Sequence, residues 1–97
     1  MAKRIIWTEN AHNERKEILL YWKNHNQSTA FSKKLNELIK KAIQLISSHP
    51  HIGRKTDVKN VRVKLVRDYL LFYEETKDTI IILSIWDNRR NPDETPY

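Results

Sequence analysis

The stretch "VRVKLVRDYLLFYEETKDTIIILSIWDNRR", Val61 to Arg90, decides how this chain folds. At first its apolar residues recur at every second position: Val61, Val63 and Leu65 alternate with Arg62, Lys64 and Val66. A period of two sends successive side chains to opposite faces of a strand, so this piece reads as half-buried with a basic row on one side. Arg67-Asp68 makes a tight connection into "YLLFYEE", and Lys77-Asp78 makes the next into "TIIILSIW". Both later segments are apolar on odd and even positions alike, the composition of strands covered on both faces. Connections this short join antiparallel neighbours, which predicts a three-stranded meander.

Upstream of Asn60 the period is close to 3.6. Arg4 to Trp7 reads as a short strand that completes the sheet at an edge. Thr8 follows as a helix N-cap, with Glu9 well placed near the positive end of the helix dipole. The first helix carries Ala11, Ile18, Leu19 and Trp22 at helical spacing, and "KNHNQS" ends it. Ser28 or Thr29 caps a second helix, whose apolar stripe is Phe31, Leu35, Leu38, Ile39, Ala42, Leu45 and Ile46. Pro50 and Gly53 in "SHPHIGR" stop it. The expected architecture is α+β, in the order β-α-α-β-β-β: two N-terminal helices on one face of a small antiparallel sheet, forming one domain over residues 1–97.

Composition narrows the function classes. Cysteine is absent, which excludes disulfides, thiolate chemistry and Cys-based metal sites. No apolar run approaches the length of a membrane span, and "MAKRIIWTEN" lacks the apolar core of a signal peptide, so a cytoplasmic protein without membrane partners is expected. Lys and Arg number 18 against 12 acidic residues, a formal charge of +6, which favours polyanions or acidic protein segments as partners. Between Arg54 and Arg67 there are six basic residues and one acid, Asp57, so the positive field concentrates mid-chain.

If Val61, Val63 and Leu65 face the helices, Arg62 and Lys64 point to the open side of the sheet. Arg89 and Arg90 leave the last strand where a short loop can fold back toward that side, giving one shallow cationic concavity together with Arg67. The open side also exposes apolar residues of the central strands, so it calls for a partner, a covering tail, or both.

The order and spacing of "HPHIGR", "VRVKLVRDYLLFYEE" and "IIILSIWDNRRNP", after a strand and two helices, resemble the RelE/ParE superfamily of type II toxin–antitoxin toxins. Members share a fold more than an activity: some cleave mRNA in the ribosomal A site without a metal, while ParE-type members poison DNA gyrase. The resemblance implies a cognate antitoxin as partner, either the ribosome and mRNA or DNA gyrase as target, and no cofactor.

Metal-independent cleavage needs cations against the crowded phosphate as well as proton carriers. Arg62 and Lys64 match the strand on which nuclease members carry lysines, and Arg89 or Arg90 falls near their arginine after the last strand. The resemblance thus names Arg62, Lys64 and Arg89 as catalytic candidates, and Arg62, Lys64, Arg67, Arg89 and Arg90 as nucleic-acid binders. It slightly favours mRNA cleavage over gyrase inhibition, with a non-toxic nucleic-acid-binding module as a third class. Two departures count against a nuclease. Leu70 stands where nucleases carry an arginine after the first tyrosine of the central strand, and only Tyr97 serves as a C-terminal tyrosine.

Other residues have plainer expected roles. Trp86 either covers the sheet end or anchors the antitoxin, a role in which tryptophan is enriched. Tyr69 and Tyr73 share one side of their strand. Lys33, Lys34, Lys40 and Lys41 form a solvated helix face, and Glu74 and Glu75 read as surface pairs. His49 and His51 flank a proline with only Asp57 nearby, too few donors for a metal. Asp87 caps the turn after its strand and orients a guanidinium.

Overall fold

The computed structural model describes residues 2–25, 29–89, 95 and 97. Strand β1 (Arg4–Trp7) leads into helix α1 (Glu9–His25) and helix α2 (Thr29–Ser48). A 3-10 turn (Pro50–Ile52) follows, then β2 (Arg54–Lys55), β3 (Val61–Val66), β4 (Tyr69–Glu75) and β5 (Thr79–Asp87). The sheet order is β1-β5-β4-β3-β2.

The meander of β3, β4 and β5 is antiparallel as expected, and β1 lies at an edge. Two features differ from the expected small antiparallel sheet. β1 runs parallel to β5, with Ile5 opposite Ile80 and Trp7 opposite Ile82, so the sheet is mixed. The two helices serve as the long crossover that a parallel pair requires. A two-residue strand, β2, also pairs Arg54 with Val63 and Lys55 with Arg62. Both of its residues are charged and exposed, so no apolar alternation marks it.

Thr8 caps α1 as expected: its Oγ1 accepts from the Ala11 amide at 3.1 Å and donates to the Ile82 carbonyl at 2.9 Å. The cap thereby ties α1 to the centre of β5. The stripe on α2 packs Leu35, Ile39, Ala42 and Ile46 into the core, with Phe31 and Leu38 at its margin; Leu45 falls outside it at 40% exposure. Ser28, the alternative cap of α2, lies outside the described residues. Against these helices the sheet presents Val66, Tyr69, Leu71, Tyr73, Ile80, Ile82 and Ile85.

That side of the sheet overturns one expectation. Residues opposite one another in an antiparallel pair share a face. Arg62 stands opposite Tyr73, Lys64 opposite Leu71 and Val66 opposite Tyr69, so Arg62 and Lys64 lie on the helix-bearing side. Val61, Val63 and Leu65 lie on the other side, with Phe72 opposite Val63 and Leu70 opposite Leu65. The alternation itself is as read; the face given to each set is reversed. β3 sits outside β4 and β5 in the sheet, where the helix side is only half covered. Long aliphatic stems with charged tips fit that position, because the stem packs while the head reaches water.

β5 carries one extra residue. Phe72 pairs with Ser84 and Tyr73 with Ile82, leaving Leu83 as a bulge. The extra residue shifts the side-chain phase, so that Ile80, Ile82 and Ile85 all reach the same core. α1 satisfies the polar groups that the bulge releases. Glu14 Oε1 accepts from Ser84 Oγ at 2.9 Å and from the Ile85 amide at 3.2 Å, and Asn10 Nδ2 donates to the Leu83 carbonyl at 3.3 Å.

Candidate functional site

Arg89 is fixed by the turn that follows β5. Its Nε and Nη2 donate to the two Asp87 carboxylate oxygens at 3.0 and 2.9 Å, and its amide donates to Asp87 Oδ1 at 2.9 Å. The turn cap expected at Asp87 is therefore formed. This forked bond holds the guanidinium pKa above the usual arginine range. Its Cζ lies 5.6 Å from the centre of the Trp22 ring on α1. Trp22 Nε1 in turn donates to the Tyr69 hydroxyl at 2.6 Å, and its ring meets Phe31 at 4.7 Å. Arg67, at the β3–β4 turn, lies 5.5 Å from the Phe31 ring. Arg67 and Arg89 thus belong to an aromatic cluster where α1 ends and α2 begins. A cavity of about 340 Å3 opens beside it, lined by Glu14, Glu17, Tyr21, Tyr69, Asp87 and Arg89.

Arg62 belongs to a different cluster. Its Nη1 donates to the Gly53 carbonyl at 2.9 Å and more weakly to that of His51 at 3.5 Å, both in the turn after α2. Beside it, the Tyr73 hydroxyl accepts from the Gly53 amide at 3.0 Å and donates to the Pro50 carbonyl at 2.7 Å. A Cβ on Gly53 would sit 2.5 Å from that hydroxyl oxygen, which is why this position takes glycine. "HPHIGR" and "YLLFY" are therefore two halves of one interlock. Burial pushes both tyrosine hydroxyl pKa values upward.

His51 Nε2 lies 3.0 Å from Glu75 Oε1, and Lys3 Nζ lies 2.8 Å from Glu75 Oε2. The Lys3 hydrogen bond, chiefly, lowers the Glu75 pKa. Glu75 is thus more than a loose surface pair, and His51 faces this carboxylate. Nothing in the sequence pattern signals either contact, since they join residues far apart along the chain. Lys64 makes no ion pair among the described residues, and it borders a shallow hollow with Ile52, Leu65, Leu70 and Asn88.

Among the described residues, Arg62, Lys64, Arg67 and Arg89 do not form the expected single cationic concavity. Arg62 and Lys64 lie on the side the helices occupy. Tyr69 and Tyr73, which mark the two clusters, stand four residues apart on β4, roughly 13 Å at the rise of a strand. Arg90 lies outside the described residues. The helix-free side is instead apolar. Val63 and Phe72 are buried there, Leu65 is 56% exposed, and Trp86 stands opposite Leu70. The C-terminal Tyr97 covers part of it, with its ring 5.3 Å from that of Phe72. A cavity of about 360 Å3 remains between Arg54, Leu70, Phe72, Trp86 and Tyr97.

Comparison with known proteins adds the family. The sequence profile described as the ParE toxin of the type II toxin–antitoxin system parDE matches residues 5–92. The chain belongs to the ParE toxin family. It is thus a toxin component of a type II system. A solved chromosomal ParDE toxin–antitoxin system from P. aeruginosa has the same fold, with a TM-score of 0.75 at 17% identity. The match covers 89% of this chain and 96% of that one. No curated protein matches the sequence. The family profile ends just past Arg89, so it spans both clusters of this ParE-family chain. No helix among the described residues is long and apolar enough to cross a membrane.

Proposed function

We propose that this toxin acts in the cytoplasm by binding DNA gyrase, without a catalytic centre of its own, and that a cognate antitoxin holds it inactive. The observation that carries this reading is the dispersal of the cations. Phosphoryl chemistry on RNA needs several charges and proton carriers converging on one phosphate. Here Arg89 is committed to Asp87 and Arg67 lies over Phe31, while Arg62 is held by the turn after α2 in a separate cluster and does not converge with them. Leu70 offers nothing polar where a nuclease would carry arginine. mRNA cleavage, favoured slightly on sequence, finds no support in this arrangement. Family membership favours the gyrase alternative.

The antitoxin is placed on the helix-free side. Exposed Leu65 and the cavity beside Trp86 offer the apolar surface that a folding segment must bury. Arg54 at the rim offers a partner for its acidic side chains. Trp86 keeps the anchor role in this proposal.

Purified toxin added to gyrase and relaxed plasmid is expected to block supercoiling and accumulate cleaved DNA complexes, with cellular mRNA intact on expression. Early codon-specific mRNA cleavage with unimpaired supercoiling would overturn the proposal.

A further inference from the structure

We infer that the hollow between the turn after α2 and the β2–β3 connection, walled by His51, Lys55, Lys59 and Arg62, binds the phosphodiester backbone of duplex DNA. The hollow measures about 350 Å3. Lys55 and Arg62 are direct cross-strand partners, and like charges placed opposite one another destabilise a sheet. Lys59, exposed in the connection, adds a third positive charge to the same hollow. An anionic ligand offsets that repulsion.

Arg62 is prepared for such a ligand. Both of its hydrogen bonds use Nη1. Among the described residues, Nε and Nη2 have no partner, and the guanidinium is already oriented. Phosphate fits that remaining edge. Glu75 is the one acid in the wall; Lys3 neutralises it, and His51 Nε2 lies 3.0 Å from its other oxygen. Asp57 lines the cavity on the helix-free side instead.

The lining also discriminates among polyanions. It holds no phenylalanine, tyrosine or tryptophan, and its one aromatic ring, His51, is engaged with Glu75, so unstacked bases of a single strand gain little platform there. Its apolar residues are only Val58 and the buried Val61, too little for an acidic peptide that folds on binding. A duplex backbone needs neither. The choice of DNA over RNA rests on the gyrase proposal, since gyrase acts on duplex DNA.

The test titrates the full chain against a short DNA duplex at several salt concentrations, with no gyrase present. The two proposals therefore fail separately. Lys55→Gln combined with Lys59→Gln should make the slope of log K against log salt shallower by about 1.8, since each neutralised phosphate contributes about 0.9. Lys34→Gln combined with Lys41→Gln, the same change of charge on exposed α2 positions, should leave the slope within about 0.5 of the parent. Equal effects of the two pairs, no effect of the first, or displacement of DNA by an RNA duplex or an oligoglutamate of matched charge would overturn the inference.

Discussion

Tyr69 and Tyr73 stand on the same face of β4, both buried and both hydrogen-bonded, but they are held in different ways. The Tyr69 hydroxyl meets a side chain, Trp22, at the edge of the helix pair. The Tyr73 hydroxyl meets two backbone groups, the Gly53 amide and the Pro50 carbonyl, inside a turn that also holds Arg62. A side-chain partner can turn toward water when its contact is lost. Backbone groups in a closed turn cannot. The Tyr73 end is therefore the rigid corner of the molecule, and the Tyr69 end is an adjustable one.

Gly53→Ala attacks the rigid corner directly. The added methyl would stand 2.5 Å from the Tyr73 hydroxyl oxygen and 2.9 Å from its ring, and Tyr73 is fully buried with no room to retreat. A loss of about 3 kcal/mol is expected from overpacking and broken hydrogen bonds together. Urea unfolding measures it. Tyr73→Phe in the same background should recover part of the loss, because the closest atom is then gone. Strict additivity of the two substitutions would show that they do not share one interlock.

Tyr73→Phe alone ranks next. It leaves the buried Gly53 amide and the Pro50 carbonyl without their partner, at a cost of about 2 kcal/mol. Tyr69→Phe should cost about 1 kcal/mol, since half-buried Trp22 can regain a bond to water. If the two substitutions cost the same, the contrast between the corners is false.

This contrast also marks what the sequence discloses. Local features were readable: the Thr8 cap, the α2 stripe and the meander all follow from neighbours a few residues apart. The pairing of β1 with β5 and the β2 strand were not, because they depend on partners reached only after the chain has folded. The side of the sheet taken by Arg62 and Lys64 differs from the expected one for a related reason. Alternation tells which residues share a face, but not which face the helices cover, and β4, to which β3 is paired, is apolar on both faces. The bulge at Leu83 left no trace in "TIIILSIW", where every position is compatible with the core. For the candidate site, residue types were legible and their convergence was not. Asp87 at the end of β5 and Arg89 in the turn beyond it are legible as a pair because they stand two residues apart in sequence. Lys3, His51 and Glu75 were brought together by tertiary contacts alone.

The smallest expected effect lies beside the rigid corner and depends on pH. Glu75 has a folded-state pKa below its ordinary value, chiefly because Lys3 donates to it. A carboxylate of that kind stabilises the fold fully above its unfolded pKa, about 4.3 for glutamate, and loses the contribution as pH falls through the lower folded value. Lys3→Met removes the main cause. The partly exposed pair should be worth about 0.5 kcal/mol. Unfolding free energies at pH 7 and pH 3 should therefore differ by about that much less in Lys3→Met than in the parent chain. Equal acid losses in both proteins would mean that Glu75 gains nothing from its partner, and that the corner owes its rigidity to Tyr73 and Arg62 alone.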